Sequence, residues 1–511
     1  MKIALIEAGS PGLNIYSHVS MGRGVMLLAT ILRDLGHEVL CFVEDIAGSQ
    51  SIDWSFLAKA DLVGFSTITC TLPRTKELLD QVRRINPKAI IVLGGPEPTG
   101  DPERSFRIGA DFVVRVEGEK TLPEFLEALR GEKPFSEVLG LSWKNNGKII
   151  HNNNRPQLSR EELNNLPFVD FSLVPGAKKR TVGAVWRSRG CTNRCDFCEV
   201  WKIWPRYVLR DEEISVKELL LADQGVVFII DDNAAVRKRS FKQFLKLAIE
   251  KGFRRHSILQ MRTDAVLTRE DKIDRQFLRL LRRFAGSVTI CVGIESANDE
   301  NLKQMGKNID VRTMRRTLKA MRRYGLMSHG MLIAFGNDTL ATIRENGHFA
   351  RKYFTTLQYL FEVPLPGTDK TQQYKLENRL LWDNFEDLAF YNGMHVVLKP
   401  KYISPLEMQE AVFREYEKFY SQFRIVTAFV RGLFLRWRLL NPGQRNYLRK
   451  LPLGKRFLQW LRYHLEWKLA PWSLRLIGRR RVEAFRNDPK YQNYLKQLRS
   501  LKNLKKLKEV S

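Results

Sequence analysis

Over the first 130 or so residues, short apolar runs alternate with longer stretches whose apolar residues recur at helical spacing. This pattern predicts a parallel β-sheet with crossover helices. The runs KIALIEA, VLCFVED, DLVGFSTIT, AIIVLGG and DFVVRVEG read as strands, and MLLATILRDLGHE, TKELLDQVRRIN and TLPEFLEALRG as the helices between and after them. The alternation then breaks. LGLSWKNNGKIIHN has two apolar runs about an Asn-Asn-Gly turn and predicts a hairpin, followed by an Asn-rich loop and a junction near Pro175. From about 181 to 370 strands and helices alternate again, with TVGAVWRS, VVFIIDD, SILQMRTDA, SVTICVGIES, MSHGMLIAFG and LQYLFEVPL as six strands. After 370 the spacing turns helical, and LEMQEAVFREYEKFYSQFRIV is expected to close the open side of the second strand set.

Ligands of open parallel sheets gather at the carboxyl ends of the strands. In the first region Ser66 and Thr67, then Gly94, Gly95, Pro96 and Glu97, then Glu117, Gly118 and Glu119 are expected to line such a crevice, the glycines permitting close backbone approach. In the second region polar residues again stand at the strand ends: Asp231, Asp232 and Asn233; Arg262 and Asp264; Glu295 and Ser296; Gly336; and the Pro364–Thr368 string PLPGT. Capping of the next helix is the other reading of an Asp, Asn or Ser at such a place.

At 511 residues two or three domains are expected. No run of eighteen apolar residues occurs; the nearest, FRIVTAFVRGLFLRW, is interrupted by Arg431 and Arg436, so a spanning helix is not expected. The start MKIALIEAG predicts a strand, not a leader, and six cysteines without a paired framework point to a reducing cytoplasm.

Three of those cysteines change the picture. Cys191, Cys195 and Cys198 stand in Arg187-Ser-Arg-Gly-Cys-Thr-Asn-Arg-Cys-Asp-Phe-Cys, a spacing that brings three thiolates around one small volume. Thiolates suit iron-sulfur clusters and zinc. A structural site is normally closed by four protein ligands, so three leave one metal position open to an exogenous ligand. Cys41, Cys70 and Cys291 sit singly in apolar stretches and read as core thiols. A zinc knuckle is the alternative.

This loop, with Phe197 just before the third cysteine, resembles the signature of the radical S-adenosylmethionine (radical SAM) enzymes. The resemblance implies a [4Fe-4S] cluster on Cys191, Cys195 and Cys198 whose open iron binds SAM, and a 5'-deoxyadenosyl radical that abstracts hydrogen from substrate. It also implies a partial (β/α)6 TIM-like barrel, with Phe197, Asp231, Asp232, Asn233, Arg262, Glu295 and Ser296 around SAM. The first region, with GGPEPT and VEGE, resembles the Rossmann-like (flavodoxin-like) cobalamin-binding domain that precedes the barrel in the B12-dependent subclass. That likeness implies cobalamin held by Ser66, Thr67, Gly94, Gly95, Pro96, Glu97, Glu117 and Gly118. The turn EAGSPGLNIYSH lacks the Asp-x-His-x-x-Gly motif of other cobalamin proteins, and His18 lies too far along to serve; many members of the subclass lack it as well. A flavodoxin-like domain without corrinoid is the alternative. The expected layout of this α/β chain is a B12-binding-like domain over 1–135, a connector over 136–179, the barrel over 180–370, a helical post-barrel segment over 371–430 and a basic aromatic helical extension over 431–511.

Of the net charge of +29, residues 431–511 contribute +18, from 22 Lys and Arg against four acids. Trp437, Tyr447, Phe457, Trp460, Tyr463, Trp467 and Trp472 interleave with these cations. Rings at headgroup level with cations on anionic lipid make a peripheral membrane contact, and the expected place is the inner face of the cytoplasmic membrane. RNA binding and a solvated helical extension are the alternatives, and no nucleic-acid partner is expected. The expected function is cobalamin-dependent carbon methylation of a small apolar or lipid-like substrate, with an external electron donor. Radical cyclisation or carbon-carbon coupling of a lipid without cobalamin is the second reading, and a membrane- or nucleic-acid-binding protein with a vestigial metal site the third. A methylthio-transferring enzyme acting on tRNA would need further N-terminal cysteines, and Cys41 and Cys70 stand alone.

Overall fold

The computed structural model of the protein describes residues 1–10, 24–382, 384–433 and 452–510. The chain forms two compact units, one of Met1–Ile214 with Val363–Leu398 and one of Ser215–Glu362 with Lys399–Ser511.

The first unit is built on β1 (Lys2–Glu7), β2 (Glu38–Val43), β3 (Leu62–Ser66), β4 (Ile90–Gly94), β5 (Phe112–Val114), β6 (Leu141–Asn145) and β7 (Lys148–His151), in the order β2-β1-β3-β4-β5-β6-β7. β1 to β5 are parallel, and β6 and β7 add an antiparallel hairpin at the edge. Both faces of the parallel part are apolar because both are covered. Ala4, Ile6, Phe42, Val63, Phe65, Ile91 and Leu93 bury into one core, and Ile3, Leu5, Val39, Cys41, Leu62 and Val92 into the other. The hairpin turns at Asn146 and Gly147, with φ of 48° and 79°, the left-handed pair of a two-residue primed turn. The fifth strand is shorter than its apolar run because Val116 takes a φ of 64° and ends the pairing. Three shorter strands, β8 (Val182–Val185), β9 (Ser188–Arg189) and β10 (Val208–Leu209), follow in the same unit.

The second unit carries β11 (Val226–Ile229), β12 (His256–Gln260), β13 (Val288–Glu295), β14 (Met327–Ala334) and β15 (Thr356–Phe361), each parallel to the next. The helices Lys238–Glu250, Arg275–Phe284, Val311–Arg323 and Leu340–Tyr353 fill the crossovers. Phe241, Phe244, Phe277 and Phe284 are fully buried where the first two of these pack together. The SILQMRTDA run is strand only to Gln260; Thr263–Val266 then turns as a 3-10 helix.

The post-barrel stretch divides at Leu398. Its first part is helical over Asp369–Leu376 and then largely irregular, and Leu388, Tyr391 and Val397 fill one face of the first unit's core without a helical period. The second part is the Pro405–Phe419 helix, started by a Ser404–Glu407 capping box with Pro405 in the first turn. This helix covers the outer edge of β15: the Tyr359 amide donates to Tyr416 Oη at 2.6 Å, and Tyr420 Oη, at the helix C-cap, accepts from the Leu357 amide and donates to its carbonyl, both at 3.0 Å. Three backbone groups of this edge are thus satisfied by tyrosine hydroxyls, as a buried strand edge requires.

Candidate active site

The cysteine loop leaves β9 and returns as β10, and the two strands close it as an antiparallel ribbon with Arg189 opposite Val208. Gly190 opens the loop at φ +82°. A Cβ there would lie 3.0 Å from the Trp204 carbonyl oxygen and collide with that of Arg206, so the loop base accepts glycine alone. Inside it the Cys198 amide donates to the Cys195 carbonyl at 3.2 Å, and Trp201 Nε1 donates to the same oxygen at 3.0 Å. The Asn193 amide and Nδ2 donate to Cys191 Sγ at 3.5 and 3.4 Å. These two donors hold the Cys191 sulfur in place within the loop. Two ion pairs hold the loop to the Asp369–Leu376 helix: Asp196 with Lys370 at 2.8 Å, and Lys202 with Asp369 at 2.9 Å.

Cys191, Cys195 and Cys198 form no disulfide and are half-buried. The other thiols differ. Burial pushes Cys70 and Cys291 up to about 12 and Cys41 further, so all three stay neutral. Among the described residues no three Cys, His, Asp or Glu side chains converge on one ion. A [4Fe-4S] cluster does not ask for that, because each of its irons takes its own thiolate. Three half-buried thiols in one loop, one of them beside two N–H donors, fit such a cluster with one iron left open.

The register of the first sheet sets Glu7, Ser66, Gly94 and Val114 in one row across the carboxyl ends of β1, β3, β4 and β5. Gly95 follows at φ +106°, where a Cβ would stand 2.7 Å from the Thr67 carbonyl oxygen. The Thr67 amide donates to the Gly94 carbonyl at 2.9 Å, while Thr67 Oγ1 is buried with no hydrogen-bond partner. Glycine at 95 lets this turn pack on the Thr67 backbone, and the unsatisfied buried Thr67 hydroxyl beside it suits a polar cofactor such as a corrinoid. Two acids that follow β4 and β5 are already engaged. Glu97 is buried, accepts from Thr69 Oγ1 and Arg104 Nη1 at 2.5 Å each, and has its carboxyl raised by desolvation against the pull of Arg104. Glu117 is buried and accepts from the Leu158 amide at 2.7 Å and Arg189 Nη1 at 2.5 Å. Gly118 begins the next helix, and Pro96 the short one that holds Glu97.

In the second unit Asp231, Asp232 and Asn233 follow β11; Asp231 and Asn233 are buried, Asp232 is exposed, and Asn233 Oδ1 has no hydrogen-bond partner. Arg262 Nη2 donates to Asp264 at 2.7 Å and to the Asn308 carbonyl at 3.0 Å. Glu295 ends β13 with φ +58°, beyond a register shift at Gly293, and pairs with Lys307 Nζ at 2.7 Å. Ser296 Oγ donates to Asn346 at 3.3 Å and accepts from the Asn298 amide at 3.2 Å. Pro364–Thr368 and Phe197 belong to the first unit, where a Cβ on Gly100 would stand 2.6 Å from the Pro366 carbonyl oxygen. Lys307, Asn346 and Arg189 hold these positions, and sequence spacing nominated none of them. They lie 12, 50 and 72 residues from the groups they hold, a reach that no periodicity encodes.

A glycine turn with an unsatisfied buried hydroxyl, followed by a three-cysteine loop, stands in the order of a corrinoid-type domain and then a radical SAM domain. Residues 18–126 match the B12 binding domain family and residues 187–350 the Radical SAM superfamily. The chain belongs to the radical SAM enzymes that carry a B12-binding domain. Its cofactors are a [4Fe-4S] cluster, SAM and cobalamin. An uncharacterized methyltransferase of Pyrococcus horikoshii is 26% identical over 423 residues, 79% of this chain and 88% of that one. The anaerobic magnesium-protoporphyrin IX monomethyl ester cyclase of Rubrivivax gelatinosus is 23% identical, over 78% of this chain and 73% of the cyclase. The hopanoid C-3 methylase of Methylococcus capsulatus is 23% identical, over 84% and 82%. The solved structure of the cobalamin-dependent SAM radical enzyme OxsB with aqua-cobalamin shares the fold, with a TM-score of 0.66 at 16% identity, over 98% of this chain and 84% of that one.

Proposed function

We propose that this enzyme methylates an unactivated carbon of an apolar or lipid-like small molecule. When bound, the cluster with SAM supplies a 5'-deoxyadenosyl radical, and cobalamin supplies a methyl group. The chain's part is to hold and shield. Cys191, Cys195 and Cys198 bind three irons and leave the fourth to SAM. Phe197, Asp231, Asp232, Asn233, Arg262, Glu295 and Ser296 surround SAM, with Lys307 and Asn346 fixing the last two. Ser66, Thr67, Gly94, Gly95, Pro96 and Gly118 offer the corrinoid backbone and hydroxyl contacts, while Glu97 and Glu117 brace that surface from within the protein. The observation that carries the reading is that the row with its glycine turn and the three cysteines outside any disulfide belong to one compact unit. The choice of methylation rests on relatives named as methyltransferases that align along most of both chains.

The test is anaerobic loading with iron, sulfide and hydroxocobalamin, then metal analysis and SAM cleavage under dithionite. Four irons and one cobalt per chain, both lost selectively in the matching variants Cys195→Ser and Gly95→Val, are expected. Iron without cobalt overturns methylation and favours the second reading, radical cyclisation, for which the likeness to the magnesium-protoporphyrin cyclase speaks.

The enzyme works in the cytoplasm at an anionic membrane surface and takes its electron from an external donor. Among the described residues no helix is long and apolar enough to cross a membrane. Phe423 and Val426, one turn apart on the Gln422–Leu433 helix, are exposed at 77% and 56% beside Arg424, a small apolar face among cations. Phe485, Tyr491 and Tyr494 are instead buried near Phe413 and Gln409 and take no part. Trp437 and Tyr447 lie outside the described residues, as do the side chains of Phe457, Trp460, Tyr463 and Trp467. Flotation of the full chain with phosphatidylglycerol vesicles checks this: loss of binding on Phe423→Ser with Val426→Ser supports the surface, and undiminished binding sinks it.

A further inference from the structure

The Arg189 guanidinium is held on three sides. Nη1 meets Glu117 Oε1 at 2.5 Å, Nη2 pairs with Glu119, and the Trp186 ring lies beneath at 4.9 Å from Cζ. Its side chain is 13% exposed and those of the two acids 2% and 9%, so this is a nearly dry site. The second oxygen of Glu117 accepts the Leu158 amide, which locks the carboxylate in plane with its partner. Three features make the arrangement more than a surface bridge. Arg189 stands two residues before Cys191, on a strand of only two residues. Glu117 is the N-cap and Glu119 a first-turn residue of the Gly118–Leu129 helix after β5, within the B12-binding match, whereas Arg189 lies within the radical SAM match. All three side chains are in one compact unit. A planar fork reaches two carboxylates at once; an ammonium of similar charge does not hold both in fixed directions.

We propose that Arg189 is a positioning residue that fixes the cysteine loop against the glycine-lined crevice, and so sets the separation of cluster and corrinoid. This rests on the reading that both cofactors bind. Gly190 removes any side-chain wedge at the next position and the ribbon with β10 supplies only two rungs, so the guanidinium clamp holds the loop's entry while the Asp196–Lys370 and Lys202–Asp369 pairs hold its far side. A clamp of this kind acts on geometry while leaving the thiols that bind iron untouched.

The test uses the full chain as Arg189→Lys, which keeps the charge and loses the fork, and as Glu119→Gln, which removes one arm. Three readouts are taken: iron and cobalt content, amide hydrogen exchange of the 190–198 segment, and the dipolar interaction between reduced cluster and cob(II)alamin in the electron paramagnetic resonance spectrum. The expected result is wild-type metal content in both variants, exchange of the 190–198 amides at least ~10-fold faster, and an altered dipolar interaction in Arg189→Lys. Wild-type exchange and an unchanged interaction in both variants overturn the proposal. Loss of both centres with a lowered melting temperature in both variants also overturns it, since that marks a folding role. Wild-type protein that takes up no cobalt is a failure of the cofactor reading, and the exchange measurement then judges Arg189 alone.

Discussion

The Lys307 ammonium lies 2.7 Å from Glu295 Oε1 and 2.5 Å from the Gly293 carbonyl oxygen, and so holds both sides of the kink that ends β13. Glu295 adopts φ +58°, which a residue with a side chain tolerates only where neighbours enforce it. Lys307→Met leaves a buried carboxylate without its cation and lifts that enforcement. We expect a loss of about 3 kcal/mol in denaturant unfolding. SAM affinity by calorimetry should fall as well, with partial recovery in Lys307→Arg. Unchanged stability in Lys307→Met refutes the role.

Gly190 and Gly147 separate strain from collision. Both have φ near +80°, but a Cβ on Gly147 meets nothing within 4 Å, whereas on Gly190 it meets two carbonyl oxygens. Gly147→Ala should cost about 1 kcal/mol and leave the iron content intact. Gly190→Ala should abolish iron binding in the loaded protein. Equal iron in the two variants contradicts the steric argument.

Tyr420→Phe removes the hydroxyl that satisfies both the amide and the carbonyl of Leu357 on the edge of β15. Leaving two backbone groups unsatisfied at a buried edge costs about 1–3 kcal/mol, read as a lowered urea midpoint at unchanged slope. The Tyr420 hydroxyl itself is pushed up to about 12 by burial, so the loss is independent of pH over the neutral range.

His256 is lowered to about 4 by desolvation, beside Ser287 and Thr289. The folded chain therefore binds fewer protons than the unfolded chain between about pH 4 and the ordinary value of 6.5. The stability that the neutral ring contributes is complete above 6.5 and lost as pH falls to 4. It amounts to about 3 kcal/mol over that window. His256→Gln keeps a polar side chain and removes the titration, so its unfolding free energy should be flatter from pH 6.5 to 4. An identical acid limb in the variant removes His256 from the account.

The sequence by itself determined the kind of chemistry the three-cysteine loop announces and the succession of strands and helices along the chain. Cysteine spacing is local: three thiols within eight residues share one loop whatever surrounds them, and period-two and period-3.6 patterns report which faces are buried. It also announced the Asn-Gly hairpin, because that turn needs two left-handed residues and only a few residue types adopt them. Tertiary structure decided what lies far apart in the chain. Arg189 finds Glu117 across 72 residues, and Lys307 finds Glu295 beyond a helix; neither pairing has a spacing that could signal it. Glu97 and Glu117, polar residues at strand ends, looked like open ligands in one dimension and are held by Arg104 and Arg189 in three. The stretch after 370 likewise divided at Leu398, and Tyr416 and Tyr420 came to cap β15, because the apolar surface and unpaired edge they cover exist only once the sheets have formed.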